Sequence, residues 1–261
     1  MSRILADHPV GAGPRPLVLL HGFLGAARNL ATLGRALVAR DAALAVHALD
    51  LTGHGASPAL PADADLGTLA GDVLRTVRRL GLRPPVAIVG HSLGGRVALR
   101  AGREEPAALS RLVLLDIAPG PVAVAETDRI LERLLAAPAN APTRDAYRTE
   151  LRAGGLAPPI VEWLLQNLEP AAGGYRWRID RHALARLHAR ASAADLWPAV
   201  EGPRPYAVAC VRGGRSPYVT EADVRRLRAA GCAVETVPGA GHFLHVERLP
   251  EVTDRILDAL A

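Results

Sequence analysis

The chain has 261 residues, of which 49% are hydrophobic and 22% are charged, a balance that supports a large buried core and excludes wholesale disorder. The formal net charge is +5, but the 31 basic residues alternate with 26 acidic ones, and no basic run is interleaved with aromatic residues, so we expect no nucleic-acid partner. Apolar runs such as Leu17–Leu20 are too short to cross a bilayer, and the N-terminal segment lacks the apolar stretch expected of a secretory signal.

Short apolar runs alternate with amphipathic segments along the chain. Runs that are apolar on both faces are typical of strands covered by helices on each side. These runs are Pro16–His21, Leu44–Leu49, Val86–Val89, Leu112–Ile117, Tyr206–Val211 and Val234–Val237. Between them, apolar residues at helical spacing predict a helix over Leu66–Leu80 and another at the C-terminus, and Thr220 with Asp223 has the pattern of a helix capping box. The alternation predicts an α/β fold with a mainly parallel central sheet.

One region, from about Gly120 to Val200, interrupts this alternation. It contains no convincing strand, and its helical patches lie around Ala125–Ala136, Ile160–Leu168 and His182–Ala194. We therefore expect residues 1–119 and 201–261 to form one core, and residues 120–200 to form a helical cap inserted after the strand ending at Asp116.

The two cysteines, Cys210 and Cys232, have apolar neighbours and no histidine or cysteine at metal-ligand spacing. We expect no disulfide and no metal site. Buried free thiols are typical of a reducing compartment, so the expected location is the cytoplasm.

The sharpest motif is Gly90-His91-Ser92-Leu93-Gly94, which follows the apolar run PVAIV and precedes the helical run RVALRAG. A strand–turn–helix context is what the G-x-S-x-G pattern requires. The tight turn projects the serine hydroxyl above the sheet at a helix N-terminus, where partial positive charge favours an oxyanion. We interpret Ser92 as a nucleophile.

A second motif, His21-Gly22-Phe23-Leu24-Gly25, ends the run PLVLL. A loop at this place can direct a main-chain N–H group at a substrate carbonyl oxygen. The expected oxyanion pair is the N–H of Phe23 and the N–H of Leu93.

A third motif supplies a candidate base. In Pro238–His245, which follows the last predicted strand, small residues precede His242, and such a loop can place an imidazole within reach of Ser92. His242 is the expected general base, and His245 competes with it.

The order of the motifs HGFLG, DLTGHGAS, GHSLGG, LLDIAP and GAGHFLH resembles the α/β-hydrolase superfamily over nearly the whole chain. Within it, the sequence is similar to small bacterial acyl-esterases and their mitochondrial abhydrolase relatives. We expect the first strands of that fold to be shortened here.

The carboxylate partner of the histidine is less clear. The superfamily usually places it in the loop after the strand that follows the cap, where this sequence has Ser216, and the nearest acids beyond are Glu221 and Asp223. In the esterase branch that the sequence resembles, the acid lies instead on the strand after the nucleophile's helix. The resemblance therefore implies Asp116 as the acid, with Ser216 as its hydrogen-bond partner.

Three polar residues near the motifs are expected to be structural. Asp50 ends a strand and is expected to brace the loop that follows it. His54 and His91 lie beside the motifs, and we expect both to form hydrogen bonds with nearby main chain, with His91 next to the catalytic residues.

The resemblance implies a serine carboxylesterase, acting on short- to medium-chain acyl esters or thioesters through an acyl-enzyme, without a metal or organic cofactor. The alternatives are another reaction of the same fold (C–C bond hydrolysis, a lyase or a cofactor-free haloperoxidase or perhydrolase activity) and a catalytically inactive ligand-binding scaffold. A small-molecule ester or thioester is the expected partner, and the chain is expected to be a monomer or a homodimer.

The cap is expected to roof the site. Its apolar residues Leu134, Leu135, Trp163, Leu164 and Leu165 either line an acyl pocket or pack the cap onto the core. The arginines of the stretch Tyr175–Arg190 either attract an anionic substrate such as an acyl-CoA or form a solvated helix face.

Overall fold

The computed structural model describes residues 3–261, so the first two residues of the predicted core lie outside the described part. A seven-stranded sheet forms its centre. The strands are β1 (Asp7–Val10), β2 (Arg15–Leu20), β3 (Leu44–Leu49), β4 (Val86–His91), β5 (Leu109–Leu115), β9 (Ala207–Gly213) and β10 (Ala233–Val237). Their order across the sheet is β1-β3-β2-β4-β5-β9-β10. All neighbouring pairs are parallel except β1 with β3, so the predicted α/β class and mainly parallel sheet are confirmed.

Helices cover both faces of the sheet because most of its strands are apolar on both sides. The helices of the core are α1 (Ala31–Arg40), α2 (Leu66–Arg79), α3 (Leu93–Glu104), α9 (Glu221–Ala229), α10 (Leu244–Glu247) and α11 (Leu249–Leu260). Side chains of β2 alternate between two buried clusters: Leu17 and Leu19 pack on the side of α1 and α11, whereas Val18 and Leu20 pack on the side of α2 and α3. This alternation fixes the register of the sheet between two apolar layers.

Between β5 and β9 the chain forms the helices α4 (Ala125–Ala136), α5 (Arg144–Ala153), α6 (Pro158–Leu165) and α7 (Arg181–Ala193), and the short helix α8 (Pro198–Glu201), which spans the end of the predicted cap. It also forms a small antiparallel sheet of β6 (Asn140–Ala141), β7 (Leu168–Ala171) and β8 (Gly174–Trp177), in the order β6-β8-β7. The expectation of a cap without strands is therefore wrong. These strands have two to four residues and contain glycine or proline or exposed positions, so they lack the apolar run that marks a strand in sequence.

Candidate active site

Ser92 stands at a strained turn between β4 and α3. Its φ is +50° and its ψ is −115°, a conformation that residues with a side chain rarely adopt and that costs about 1–3 kcal/mol. The helix that follows passes very close to β2: a Cβ atom added to Gly94 would lie 2.3 Å from the main-chain oxygen of Leu20. The motif therefore needs glycine at this position for steric reasons, and the turn places Ser92 at the N-terminus of α3.

Asp116 follows β5, the strand next to β4, and it too has a positive φ of +53°. Its carboxylate is fully buried and accepts three hydrogen bonds. Oδ1 accepts from the main-chain N–H of Gly213 at 2.8 Å, and Oδ2 accepts from the Ser216 hydroxyl and from His242 Nδ1, the latter at 2.7 Å. The structure thus brings Asp116, Ser216 and His242 together at the C-terminal ends of the strands.

His242 lies in the loop between β10 and α10. Because its Nδ1–H donates to Asp116, its Nε2 remains as the acceptor nitrogen. His242 and Ser92 line the same cavity. Within the described residues the Ser92 hydroxyl forms no hydrogen bond. Catalysis by this pair would require the hydroxyl to come within hydrogen-bond distance of His242 Nε2.

The loop after β2 lies directly against Ser92. A Cβ atom added to Gly22 would lie 2.8 Å from His91 Nδ1 and 3.4 Å from Ser92 Cβ. In this part of the described chain, the N–H groups of Phe23 and Leu93 donate to no protein group, whereas the N–H of Leu24 donates to His54 Nε2 at 3.2 Å. The two predicted oxyanion donors are therefore unengaged and lie in residues that line the cavity.

Two further histidines contact the His242 loop. His91 Nε2–H donates to the main-chain oxygen of His242 at 2.9 Å, and burial holds the His91 pKa well below its usual value, so the ring is a neutral donor. His245 packs edge-on against His91 with ring centroids 4.6 Å apart, and burial lowers its pKa to about 4. His242 forms a hydrogen bond with Asp116 and His245 does not, so the structure favours His242 over His245 as the candidate base.

The remaining polar residues singled out in the sequence brace loops. His54 is fully buried, its pKa is lowered to about 3 mainly by desolvation, and its Nδ1–H donates to the Thr52 oxygen at 3.1 Å. Asp50 accepts hydrogen bonds from the main-chain N–H groups of Ala27 at 2.6 Å and Ala56 at 2.8 Å. Both residues fix the loops that follow β2 and β3.

The acids downstream of Ser216 serve helix α9 and not the site. Asp223 accepts from the N–H of Thr220 at 2.9 Å and from its hydroxyl, which forms the predicted capping box. Glu221 pairs with Arg212 on the surface.

A cavity of about 680 Å³ lies over these residues, between the core loops and the cap. Of the five apolar cap residues singled out in the sequence, Trp163 lines it, whereas Leu134, Leu164 and Leu165 are fully buried in the interior and Leu135 lies outside its lining. Its charged lining residues are Glu126, Glu162, Glu247 and Arg96.

The arginines of the stretch Tyr175–Arg190 lie outside this lining. Arg176 pairs with Glu169, Arg181 donates to main-chain oxygens of the cap, and Arg190 donates to the Ala64 oxygen at 3.0 Å. The structure therefore favours structural and surface roles for this stretch over recognition of an anionic substrate.

Two residues at the site were not foreseen from the sequence. Arg96 is almost fully buried and donates to main-chain oxygens near both ends of the cap, to Ala118 and Ala191 at 3.1 Å each and to Gly120 at 2.7 Å, while burial lowers its pKa to about 10. The available signal was an arginine among the buried small and apolar residues of the first two turns of α3. Tyr218 stacks on His242, and this contact depends on two distant loops that no local pattern connects.

Within residues 3–261, no group of three or more histidine, cysteine, aspartate or glutamate side chains is arranged to hold a metal ion. None of the helices in this part of the chain is long and apolar enough to span a membrane. Cys210 and Cys232 are both free and buried, as expected.

Comparison with known proteins gives consistent matches along the chain. A family model described as "Alpha/beta hydrolase family" matches residues 17–255. The sequence is 30% identical to the sn-1-specific diacylglycerol lipase ABHD11 of Xenopus laevis, over 94% of this chain and 78% of that protein. It is 27% identical to the esterase YbfF of Escherichia coli strain K12, over 89% of this chain and 88% of that protein. A solved structure described as a marine microorganism esterase superposes with a TM-score of 0.89 at 25% identity, covering 99% of this chain and all of that one. These matches show that the chain belongs to the α/β-hydrolase family.

Proposed function

We propose that this protein is a serine carboxylesterase that hydrolyses short- to medium-chain acyl esters. The observation that carries the proposal is the hydrogen bond of 2.7 Å between Asp116 and His242, in a cavity that Ser92 also lines from a strained turn. This combination provides an acid, an imidazole and a hydroxyl in the order that acyl transfer requires.

In the proposed mechanism, Asp116 holds Nδ1–H of His242, and Nε2 takes the proton of the Ser92 hydroxyl as its oxygen attacks the ester carbonyl. The N–H groups of Phe23 and Leu93 stabilise the resulting oxyanion. The C–O bond to the alcohol breaks, and the alcohol leaves with the proton from Nε2. Water then gives a proton to Nε2 of His242 as its oxygen attacks the acyl-enzyme. The bond between the acyl carbon and the Ser92 oxygen breaks, Nε2 returns the proton to that oxygen, and the acid is released.

The cavity supports uncharged esters of moderate size. Its volume of about 680 Å³ lies within the range of about 300–1,000 Å³ that is usual for small-molecule sites. Three of its charged lining residues are carboxylates, and the one arginine already donates to main-chain oxygens. We therefore place neutral esters ahead of CoA thioesters, in agreement with the names of the relatives, a diacylglycerol lipase and esterases.

The division into core residues 1–119 and 201–261 and cap residues 120–200 belongs to the same proposal. It is supported by the small sheet of β6, β7 and β8, which joins no strand of the central sheet.

A cytoplasmic location also belongs to the proposal, and the two free thiols support it.

The test is labelling with a fluorophosphonate probe, followed by rates on p-nitrophenyl esters from acetate to palmitate and on the matching acyl-CoAs. We expect stoichiometric modification of Ser92, loss of labelling in S92A and H242A, and the highest kcat/KM on neutral esters of short to medium length. A wild-type protein that is folded but not labelled, or that hydrolyses none of these esters, would refute the proposal.

A further inference from the structure

The ring of Tyr218, in the loop between β9 and α9, stacks on the imidazole of His242. The two ring centroids are 3.7 Å apart and the ring planes are inclined by 16°. His91 also contacts the imidazole, at a centroid distance of 4.7 Å and an angle of 42°. The plane of the His242 ring is therefore defined by a close, nearly parallel aromatic neighbour as well as by the bond to Asp116.

Tyr218 is itself held by the cap. Its hydroxyl lies 2.5 Å from the Oγ1 atom of Thr127, in helix α4, so that a hydrogen bond joins the catalytic loops to the cap. Its main-chain N–H donates to the Ser216 hydroxyl at 3.3 Å, and that hydroxyl donates to Asp116. One residue thus contacts the imidazole, the hydrogen-bond partner of the acid, and the cap.

We propose that Tyr218 is a positioning residue: its ring fixes the orientation of His242, and its hydrogen bond to Thr127 makes that orientation depend on the cap. The inference rests on the proposed function, because it assigns His242 the role of general base.

The physical reason is geometric. One hydrogen bond from Nδ1 to Asp116 leaves the imidazole free to tilt about that hydrogen bond. Such a tilt moves Nε2 away from the Ser92 hydroxyl. A parallel ring at 3.7 Å blocks this tilt on one face. Because a misplacement of about 1 Å at a reacting group costs roughly 100-fold in rate, a small change of angle is enough to slow proton transfer.

The test separates the stack from the hydroxyl with three variants. Y218L removes the ring, Y218F keeps the ring and removes the hydroxyl, and T127V removes the partner hydroxyl at nearly constant shape. Y147F is the matched control, because Tyr147 is a fully buried cap tyrosine whose hydroxyl, among residues 3–261, forms hydrogen bonds only with the main-chain oxygens of Ala139 and Tyr175. The readouts are kcat and KM on a p-nitrophenyl ester, the rate of fluorophosphonate labelling of Ser92, and thermal unfolding.

We expect Y218L to lower kcat and the labelling rate by about 10- to 100-fold, with KM changed less than about twofold. Y218F should recover most of that loss. Y218F and T127V should each lower kcat by about threefold, and the double variant by no more than either one alone, because both remove the same bond. Y147F should lower the unfolding temperature without changing kcat.

The inference is overturned if Y218L labels and turns over within about twofold of the wild type, or if Y147F lowers kcat as much as Y218F does. If Y218L does not fold, the Y218F and T127V pair decides, and additive losses in the double variant would reject the coupling to the cap. These outcomes differ from failure of the proposed function, in which the wild-type protein itself is neither labelled nor active.

Discussion

Replacement of Asp116 by asparagine tests the assignment of the acid most directly. In the wild type, Oδ1 accepts the N–H of Gly213 at 2.8 Å, and Oδ2 accepts from His242 Nδ1 at 2.7 Å. In D116N the amide oxygen must stay opposite the Gly213 N–H, because an NH₂ group there would set two donors against each other. The NH₂ group therefore faces His242 Nδ1 and stabilises the tautomer that carries its proton on Nε2.

An imidazole protonated on Nε2 cannot accept the proton of Ser92. The loss of the required tautomer and of the carboxylate charge beside the imidazolium predicts a fall in kcat of about 10³- to 10⁴-fold, equivalent to about 4–5 kcal/mol in the activation barrier. The fold should survive, because asparagine keeps the shape of the buried side chain and the bond from Gly213.

The assay is kcat on a p-nitrophenyl ester, together with thermal unfolding of the same preparation. D223N is the matched control, because Asp223 caps α9 through Thr220 and lies outside the lining of the cavity. It should cost about 1 kcal/mol of stability or less and leave kcat within about twofold of the wild type. A D116N variant that keeps more than about one tenth of the wild-type kcat, or a D223N variant that loses as much as D116N, would refute the assignment.

Three other outcomes follow from the structure. G94A should lower the free energy of unfolding in urea by about 3 kcal/mol or more, because its Cβ would lie 2.3 Å from a main-chain oxygen of β2. The control G202A, whose Cβ would meet nothing nearer than 3.5 Å, should stay within about 1 kcal/mol of the wild type, and equal stabilities of the two variants would contradict this. Burial lowers the folded-state pKa values of His54 and His245 to about 3 and about 4, whereas the pKa of a histidine in the unfolded chain is about 6.5, so the unfolded chain binds more protons as the pH falls. The free energy of unfolding should therefore decrease between pH 7 and pH 5, by up to about 2 kcal/mol for each of the two histidines. H54Q should make this pH dependence less steep, and an unchanged slope would reject the cause. The kcat/KM for neutral esters should exceed that for acyl-CoAs of equal acyl length and should change little with ionic strength, because the arginines of Tyr175–Arg190 lie outside the cavity lining. A preference for acyl-CoAs that is lost at high salt would contradict this.

The central sheet was predictable because burial on both faces leaves a strong local signal. The run Leu44–Leu49 was predicted with the bounds that the structure has, and the helix predicted over Leu66–Leu80 ends one residue earlier, at Arg79. The edge strand Asp7–Val10 was missed because it pairs with one neighbour only and has an exposed centre, so its sequence lacks an apolar run.

The site was predictable to the extent that each motif is local. The turn around Ser92 can be read from glycine spacing, and the structure places Asp116 and His242 in contact as the resemblance implied, although their catalytic roles remain a proposal. The contacts of Arg96 and Tyr218 could not be predicted in this way. Each joins segments that are far apart in sequence, through hydrogen bonds to main-chain oxygens or by ring stacking, and neither interaction constrains the residue types nearby.

The distribution of backbone strain links the fold to the proposed chemistry. Within residues 3–261, the non-glycine residues with positive φ are Leu24, Ser92 and Asp116, and each lies beyond the C-terminal end of one of three adjacent strands, β2, β4 and β5. Strain at any of these positions costs about 1–3 kcal/mol, and it persists only where the surrounding packing leaves no alternative. Here the packing comes from strands that are buried on both faces and whose ends cannot move independently. The rigid parallel sheet therefore holds the proposed oxyanion loop, nucleophile and acid in conformations that isolated loops would not keep. This explains why the three converge at one edge of the sheet although Leu24 and Asp116 are 92 positions apart in the sequence.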